Sequence, residues 1–163
     1  MTGFEPKNPD YRTAAAALFA GQPAMRTLGI SLARLAPGEV ELAMPYSPQF
    51  TQQNGFVHAG IITAGLDNAC GVAAFTLMPP EAAILTVEFK TSLLAPARGE
   101  RFIFEAEVVK PGRTLTFCQA RAFDERDGAR MLVATMTGTL MALLRRDAAA
   151  QQERNTSAAS ADD

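Results

Sequence analysis

The chain has 163 residues, 48% of them hydrophobic and 20% charged, which is enough apolar material for one domain with a sizeable core. Fifteen Lys and Arg against 17 Asp and Glu leave a net charge of -2, so no general electrostatic attraction draws it to nucleic acid or to an anionic membrane surface, and an anionic ligand must be met locally. No basic start is followed by an apolar run of secretory length, and no stretch approaches the ~18–20 apolar residues of a membrane span; the expected location is the cytoplasm. Cys70 and Cys118 lie far apart, with His58 the only histidine, so neither a metal site nor a disulfide scaffold is supported and the two thiols read as small buried hydrophobes.

Asp10 is placed to cap a helix from Tyr11 toward Ala20, broken by Gly21-Gln22-Pro23, and a second helical turn covers Met25 to Leu28. Ile30, Leu32 and Leu35, then Val40, Leu42 and Met44 alternating with Glu39 and Glu41, predict a β-hairpin about Pro37-Gly38. Pro45 to Phe56 is a polar, turn-rich loop. Ala59 to about Leu77 is the one long helical segment; it is apolar nearly all round, which buries it on most sides. Extended segments follow at Ala83 to Leu94, Arg101 to Val109, Thr114 to Phe123 and Met131 to Leu144, with turns at Pro96 to Gly99, Lys110 to Gly112 and Asp124 to Gly128. The expected organisation is an N-terminal helical segment (1–27) packing on one α+β domain (28–144), in which an antiparallel sheet wraps one long helix. Residues 145–163, rich in Ala, Gln, Ser and Asp without apolar periodicity, are expected to be disordered.

Asp67 stands in the middle of the apolar helix, in ITAGLDNACGVAA, where an unpaired carboxylate costs several kcal/mol to desolvate. It is therefore paired, exposed at an interface, or employed in chemistry, and a hydrogen-bonded structural acid stays open beside a functional one. The start of the same helix, NGFVHAG, presents free N–H groups suited to an anion or a developing oxyanion. Ala59 and Asp67 are eight residues apart, ~12 Å along a helix. A scissile carbonyl must lie ~3 Å from both oxyanion donor and attacking group. One chain cannot meet that requirement with these two elements; if they cooperate, the helix start of one subunit meets Asp67 of another across a two-fold axis. No G-x-S-x-G elbow, P-loop or G-x-G-x-x-G occurs, and His58 reads either as a backbone-bonded residue orienting the loop or as a base, although a helix N-terminus disfavours its protonated form.

QQNGFVHAGIITAGLDNACG resembles the signature of the PaaI-like hotdog-fold acyl-CoA thioesterases: a polar amide residue, a Gly, then His-Gly-Gly opening the helix, and an Asp about two turns in. TVEFKTSLLAPARG and VVKPGRTLTF resemble the strands and turns that follow it, so the similarity spans about residues 26 to 143. The resemblance implies a hotdog fold. It implies that Asp67 is general base or nucleophile, that the N–H of Ala59, beside His58 and Gly60, is the oxyanion donor, that Gln52 is the loop amide and that Thr86 holds the attacking water. By the same resemblance coenzyme A lies along Leu93, Leu94, Pro96 and Arg98 at a strand end and along Lys110, Gly112, Arg113 and Thr114 at a turn. Arg98, Lys110 and Arg113 would supply charge for its phosphates, though each alone also reads as a solvated turn charge. Two departures are visible: His-Gly-Gly is His58-Ala59-Gly60 here, and the usual loop Asn is Gln52, with Asn54 nearby.

The expected activity is hydrolysis of an acyl-CoA, aromatic, arylacetyl or medium- to long-chain, to free acid and coenzyme A. No cofactor is expected beyond coenzyme A as part of the substrate, and the expected partner is a second copy of the chain, in a dimer of hotdog subunits or a tetramer. A hotdog acyl-CoA dehydratase, which would use His58 with Asp67, and a non-catalytic acyl-CoA binding or sensing protein are the alternatives; no DNA-binding helix pair accompanies the domain. Phe50, Phe56, Leu77 and Phe89 are expected to line the acyl pocket.

Overall fold

The computed structural model describes residues 3–144; the segment 145–163, expected to be disordered, lies outside the described residues. The elements run α1 (Tyr11–Ala20), α2 (Pro23–Thr27), β1 (Ser31–Ala36), β2 (Glu39–Pro45), a 3-10 turn (Pro48–Phe50), α3 (Ala59–Phe75), β3 (Ala83–Leu93), β4 (Arg101–Lys110), β5 (Leu115–Arg126) and β6 (Ala129–Leu143). All six strands form one antiparallel sheet in the order β1-β2-β4-β5-β6-β3. The long helix α3 packs across it and touches β2, β3, β4, β5 and β6, which is the hotdog fold.

The core forms where the strands' inward residues meet the sheet-facing side of α3. Along β5 the parity is strict: Thr116, Cys118, Ala120, Ala122 and Asp124 are buried and their neighbours are less so. From α3 come Ile62, Leu66, Ala69, Val72 and Ala73, all buried. Gly65 lies against the Phe104 ring, where a Cβ would come within 2.5 Å of the ring, so the closest helix-to-sheet approach depends on a missing side chain.

Four features differ from the sequence expectation. Helix α3 ends at Phe75, and Leu77 lies in buried turns beyond it. Its burial is one-sided: Thr63, Ala64, Asp67, Asn68 and Gly71, spaced three or four apart, form a half-exposed stripe. The turn expected over Asp124 to Gly128 contracts to Asp127-Gly128, both with positive φ (50° and 75°), because two such residues close a β-hairpin without interrupting its strands. Asp124 is therefore a buried strand residue. At α1, the Asp10 side chain makes no capping hydrogen bond; its carbonyl accepts from the Ala14 N–H instead.

The N-terminal helix α1 rests on α3 and β1, and the Arg12 guanidinium donates to the Leu35 carbonyl at 3.0 Å. At the opposite end of the strand order from β1 lies β3. Its outer edge has no strand partner among the described residues, and Leu85, Val87, Phe89 and Leu93 on it are about half exposed.

Candidate active site

Asp67 projects from the half-exposed stripe of α3 toward β3, where the Thr86 hydroxyl donates to its Oδ1 at 2.9 Å. The register puts Thr86 opposite the buried Leu140, immediately before a register shift of β3 between Thr86 and Glu88. Burial pushes the Asp67 carboxyl above the usual carboxylate range, and the Thr86 hydrogen bond offsets part of that rise by stabilising the anion. A helix acid of raised basicity, oriented by a strand hydroxyl, is equipped to take a proton from water.

The beginning of α3 is built differently. His58 is its N-cap, in extended backbone (φ -60°, ψ 136°), and its Nδ1 accepts from the Gly60 N–H at 3.0 Å. That hydrogen bond commits Gly60 and leaves Ala59, the first helical residue, with the foremost amide, which has no acceptor within the helix. The approach to it is fixed on both sides: the Val57 N–H donates to the Ala97 carbonyl at 2.8 Å and the His58 N–H to the Phe50 carbonyl at 2.9 Å. Gln52 folds over the same loop, with its Oε1 accepting from the Asn54 N–H and its backbone N–H donating to the Phe56 carbonyl at 2.8 Å.

The predicted catalytic residues thus fall into two groups. Gln52 and Ala59 share a cavity of about 400 Å³ lined also by Phe56, Leu93, Leu94 and Pro96. Asp67 and Thr86 line another, of about 460 Å³, between α1, α3 and β3. The residues expected to hold coenzyme A divide in the same way. Leu93, Leu94 and Pro96 lie beside Ala59, with Arg98 in the turn just beyond. Lys110 ends β4, and Gly112, Arg113 and Thr114 lie in the turn to β5, next to Leu115, which shares its row across the sheet with Met141 and Leu85, near Thr86. From Leu85 to Leu93 along β3 is ~26 Å, so the two groups sit at opposite ends of one subunit. Of the residues expected to line the acyl pocket, Phe56 lines the first cavity, Leu77 is in the core, and Phe89 is on the free strand.

Two features escaped the sequence reading. Asp124, 5% exposed, accepts from the Arg98 N–H at 2.9 Å and fixes the turn that carries Pro96 and Ala97; the two-residue parity of β5 would have revealed it. The other is Asn68, which donates through Nδ2 to the Gln22 Oε1 and brings the N-terminal segment up to the Asp67 cavity. No local pattern announces a contact across 46 residues. Among the described residues no cluster of three metal-ligating side chains occurs, and no helix is long and apolar enough to cross a membrane.

The sheet wrapped on one long helix is the hotdog fold, here with a half-exposed carboxylate midway along the helix and a free amide at its start, and the class of protein is a hotdog-fold thioester hydrolase. A family model described as the thioesterase superfamily matches residues 54–130. A thioesterase family protein from Silicibacter pomeroyi is 59% identical in sequence, with a TM-score of 0.81 over 82% of this chain and 98% of that one. Human acyl-coenzyme A thioesterase 13 is 32% identical over 96 residues, 56% of this chain and 66% of the human one. The PaaI protein of Escherichia coli shares the fold, with a TM-score of 0.74 at 16% identity over 82% of this chain and 93% of that one. The chain belongs to the thioesterase superfamily.

Proposed function

We propose that the protein hydrolyses an acyl-CoA thioester to free acid and coenzyme A, at a site completed by two copies of the chain. The observation that carries this reading is the division of the site: the Asp67–Thr86 pair in one cavity, the Ala59 amide and Gln52 in another. An antiparallel meeting of two β3 edges about a two-fold axis near Phe89 sets the beginning of one β3 against the end of the other. That arrangement brings Asp67 and Thr86 of one subunit to Ala59, Gln52 and Leu93 of its partner, and it covers the half-exposed apolar residues of the edge. It also unites the Lys110 to Thr114 turn with the partner's Leu93 to Arg98 segment into one track for coenzyme A.

In this site Asp67 removes a proton from a water that the Thr86 oxygen helps to hold. The water oxygen bonds to the thioester carbon, and the carbonyl oxygen takes up the electron pair. The partner's Ala59 N–H then stabilises the oxyanion; a preorganised donor of this kind is worth roughly 3–4 kcal/mol in the transition state. Collapse of the tetrahedral intermediate breaks the C–S bond, and the proton held by Asp67 passes to the departing thiolate, which releases coenzyme A and the free acid and restores the carboxylate. The Ala59 methyl narrows the approach relative to Gly without altering the amide that acts. Gln52, its Oε1 engaged by Asn54, keeps its side-chain NH2 to place the carbonyl.

The test is thiol release from a panel of acyl-CoAs by wild type and Asp67→Asn side by side. Hydrolysis of some member by the wild type, reduced at least about 10²-fold in kcat by the substitution, is expected. Full activity in Asp67→Asn would remove Asp67 from the mechanism. Consumption of an enoyl-CoA without thiol release would point to a dehydratase instead, and tight acyl-CoA binding without turnover to a sensor.

A further inference from the structure

The peptide group between Ala97 and Arg98 is held at both ends. Its N–H, that of Arg98, donates to the Asp124 Oδ2 at 2.9 Å, and its carbonyl, that of Ala97, accepts from the Val57 N–H at 2.8 Å. The unit is planar and trans, so its N–H and C=O point in opposite directions and whatever fixes one end fixes the other. A carboxylate bonded to the N–H also polarises the peptide and makes its carbonyl the better acceptor. Asp124 on β5 therefore reaches, through one rigid group, the backbone two residues before Ala59, without touching the cavity that Ala59 lines.

Two neighbours show that the carboxylate is aimed at this turn. Gly99 stands against its other oxygen, where a Cβ would come within 1.7 Å of Oδ1 and 2.8 Å of the Glu125 carbonyl. Arg126, two residues on along β5, donates from Nη2 to the Arg98 carbonyl at 2.6 Å. The segment before the turn is held separately: the Leu94 and Ala95 N–H groups both donate to the Val133 carbonyl, at 2.8 and 3.3 Å. Loosening the turn thus frees Val57 while Leu93 and Leu94 keep their anchor on the sheet.

We propose that Asp124 is a positioning residue for the thioester chemistry: through the Ala97–Arg98 peptide and Val57 it sets the direction in which the Ala59 N–H points. The proposal rests on the thioesterase reading above and adds to its site a residue that meets no substrate. Its action falls on the oxyanion donor, hence on kcat, and spares the segment expected to hold coenzyme A, hence KM.

Three variants test it in steady-state thiol release, on an acyl-CoA that the wild type hydrolyses. Asp124→Ala removes the acceptor, Asp124→Asn keeps a carbonyl oxygen for the Arg98 N–H, and Gly99→Ala pushes the turn off an intact carboxylate. In Asp124→Ala and Gly99→Ala, shown to be folded and of wild-type oligomeric state at the assay temperature, kcat should fall at least about tenfold with KM within about threefold of wild type, because a displacement of ~1 Å in a catalytic group costs up to about a hundredfold. Asp124→Asn should keep at least about a third of the wild-type kcat, since the peptide retains its acceptor. A purely structural Asp124 would lower the melting temperature and leave kcat per folded enzyme unchanged. Wild-type kcat in folded Asp124→Ala or Gly99→Ala, a loss in Asp124→Asn as large as in Asp124→Ala, or a rise in KM alone would overturn the positioning role and leave the thioesterase reading standing. If Asp124→Ala does not fold, Asp124→Asn against Gly99→Ala decides on the same terms. Hydrolysis of no acyl-CoA by the wild type would overturn both.

Discussion

Two opposed influences act on the Asp67 carboxyl, burial that favours the neutral acid and a Thr86 hydroxyl that favours the anion, and burial is the larger. A carboxyl whose folded-state pKa lies above its unfolded value of ~3.9 contributes stability that is fully present below that value and is lost as pH rises through the folded pKa. Asp67→Asn, which cannot ionise, should therefore melt at a higher temperature than wild type at about pH 8, with the gain vanishing near pH 3.5. Thermal melts across that range check it; a variant less stable than wild type at pH 8 would contradict the sign. The same balance governs activity. Thr86→Val removes the donor that lowers the Asp67 pKa, so the acid limb of kcat/KM should move to higher pH, with kcat reduced by about 10²-fold. An unmoved acid limb would mean that Thr86 acts elsewhere. Asp67 was legible in the sequence because a carboxylate in so apolar a helix demands a reason. Its partner Thr86 was reached only through the family resemblance, since one hydroxyl in a strand carries no periodic signal.

At the scale of elements, the position of Asp67 and Ala59 follows from how α3 is seated. Gly65, two residues from Asp67, lets the helix approach the Phe104 ring, and a Cβ there would sit 2.5 Å from ring carbons in a fully buried layer. Gly65→Ala should cost about 1–3 kcal/mol by overpacking, despite the better helix propensity of Ala, and chemical denaturation would measure it. Equal or greater stability would show that the layer can open without penalty. The hairpins and the long helix were readable because alternation and turn residues are local signals: Pro37-Gly38 and the apolar run after His58 identify their elements directly. The expected turn at DERDG was too long, because its polar composition hid a strand parity that continues to Asp124 and a turn needing only Asp127 and Gly128. The parity carries the burial of Asp124, but not its partner, the Arg98 amide 26 residues away in sequence.

At the scale of the whole molecule, the strand order leaves β3 at an edge, with its apolar side chains half exposed and the two halves of the proposed site at opposite ends of it. The ~12 Å between Ala59 and Asp67 was legible from helix geometry alone, and with it the condition that, if the two cooperate, a second subunit supplies one of them. Which edge serves the meeting was not, because strand order is a tertiary property that alternation does not encode. The most direct measurement of the shared site is complementation between two variants, each lacking one half. Asp67→Asn removes the base. Ala59→Pro removes only the oxyanion amide, at the first helical position, where proline is well tolerated and where His58 already has the extended backbone that precedes proline. Each variant alone should be inactive in thiol release. After subunit exchange in an equimolar mixture, about half the dimers are mixed and each holds one intact site of two, so about a quarter of wild-type activity should return. A mixture that has demonstrably exchanged subunits and stays inactive would contradict the shared site and place both halves of the chemistry within one chain.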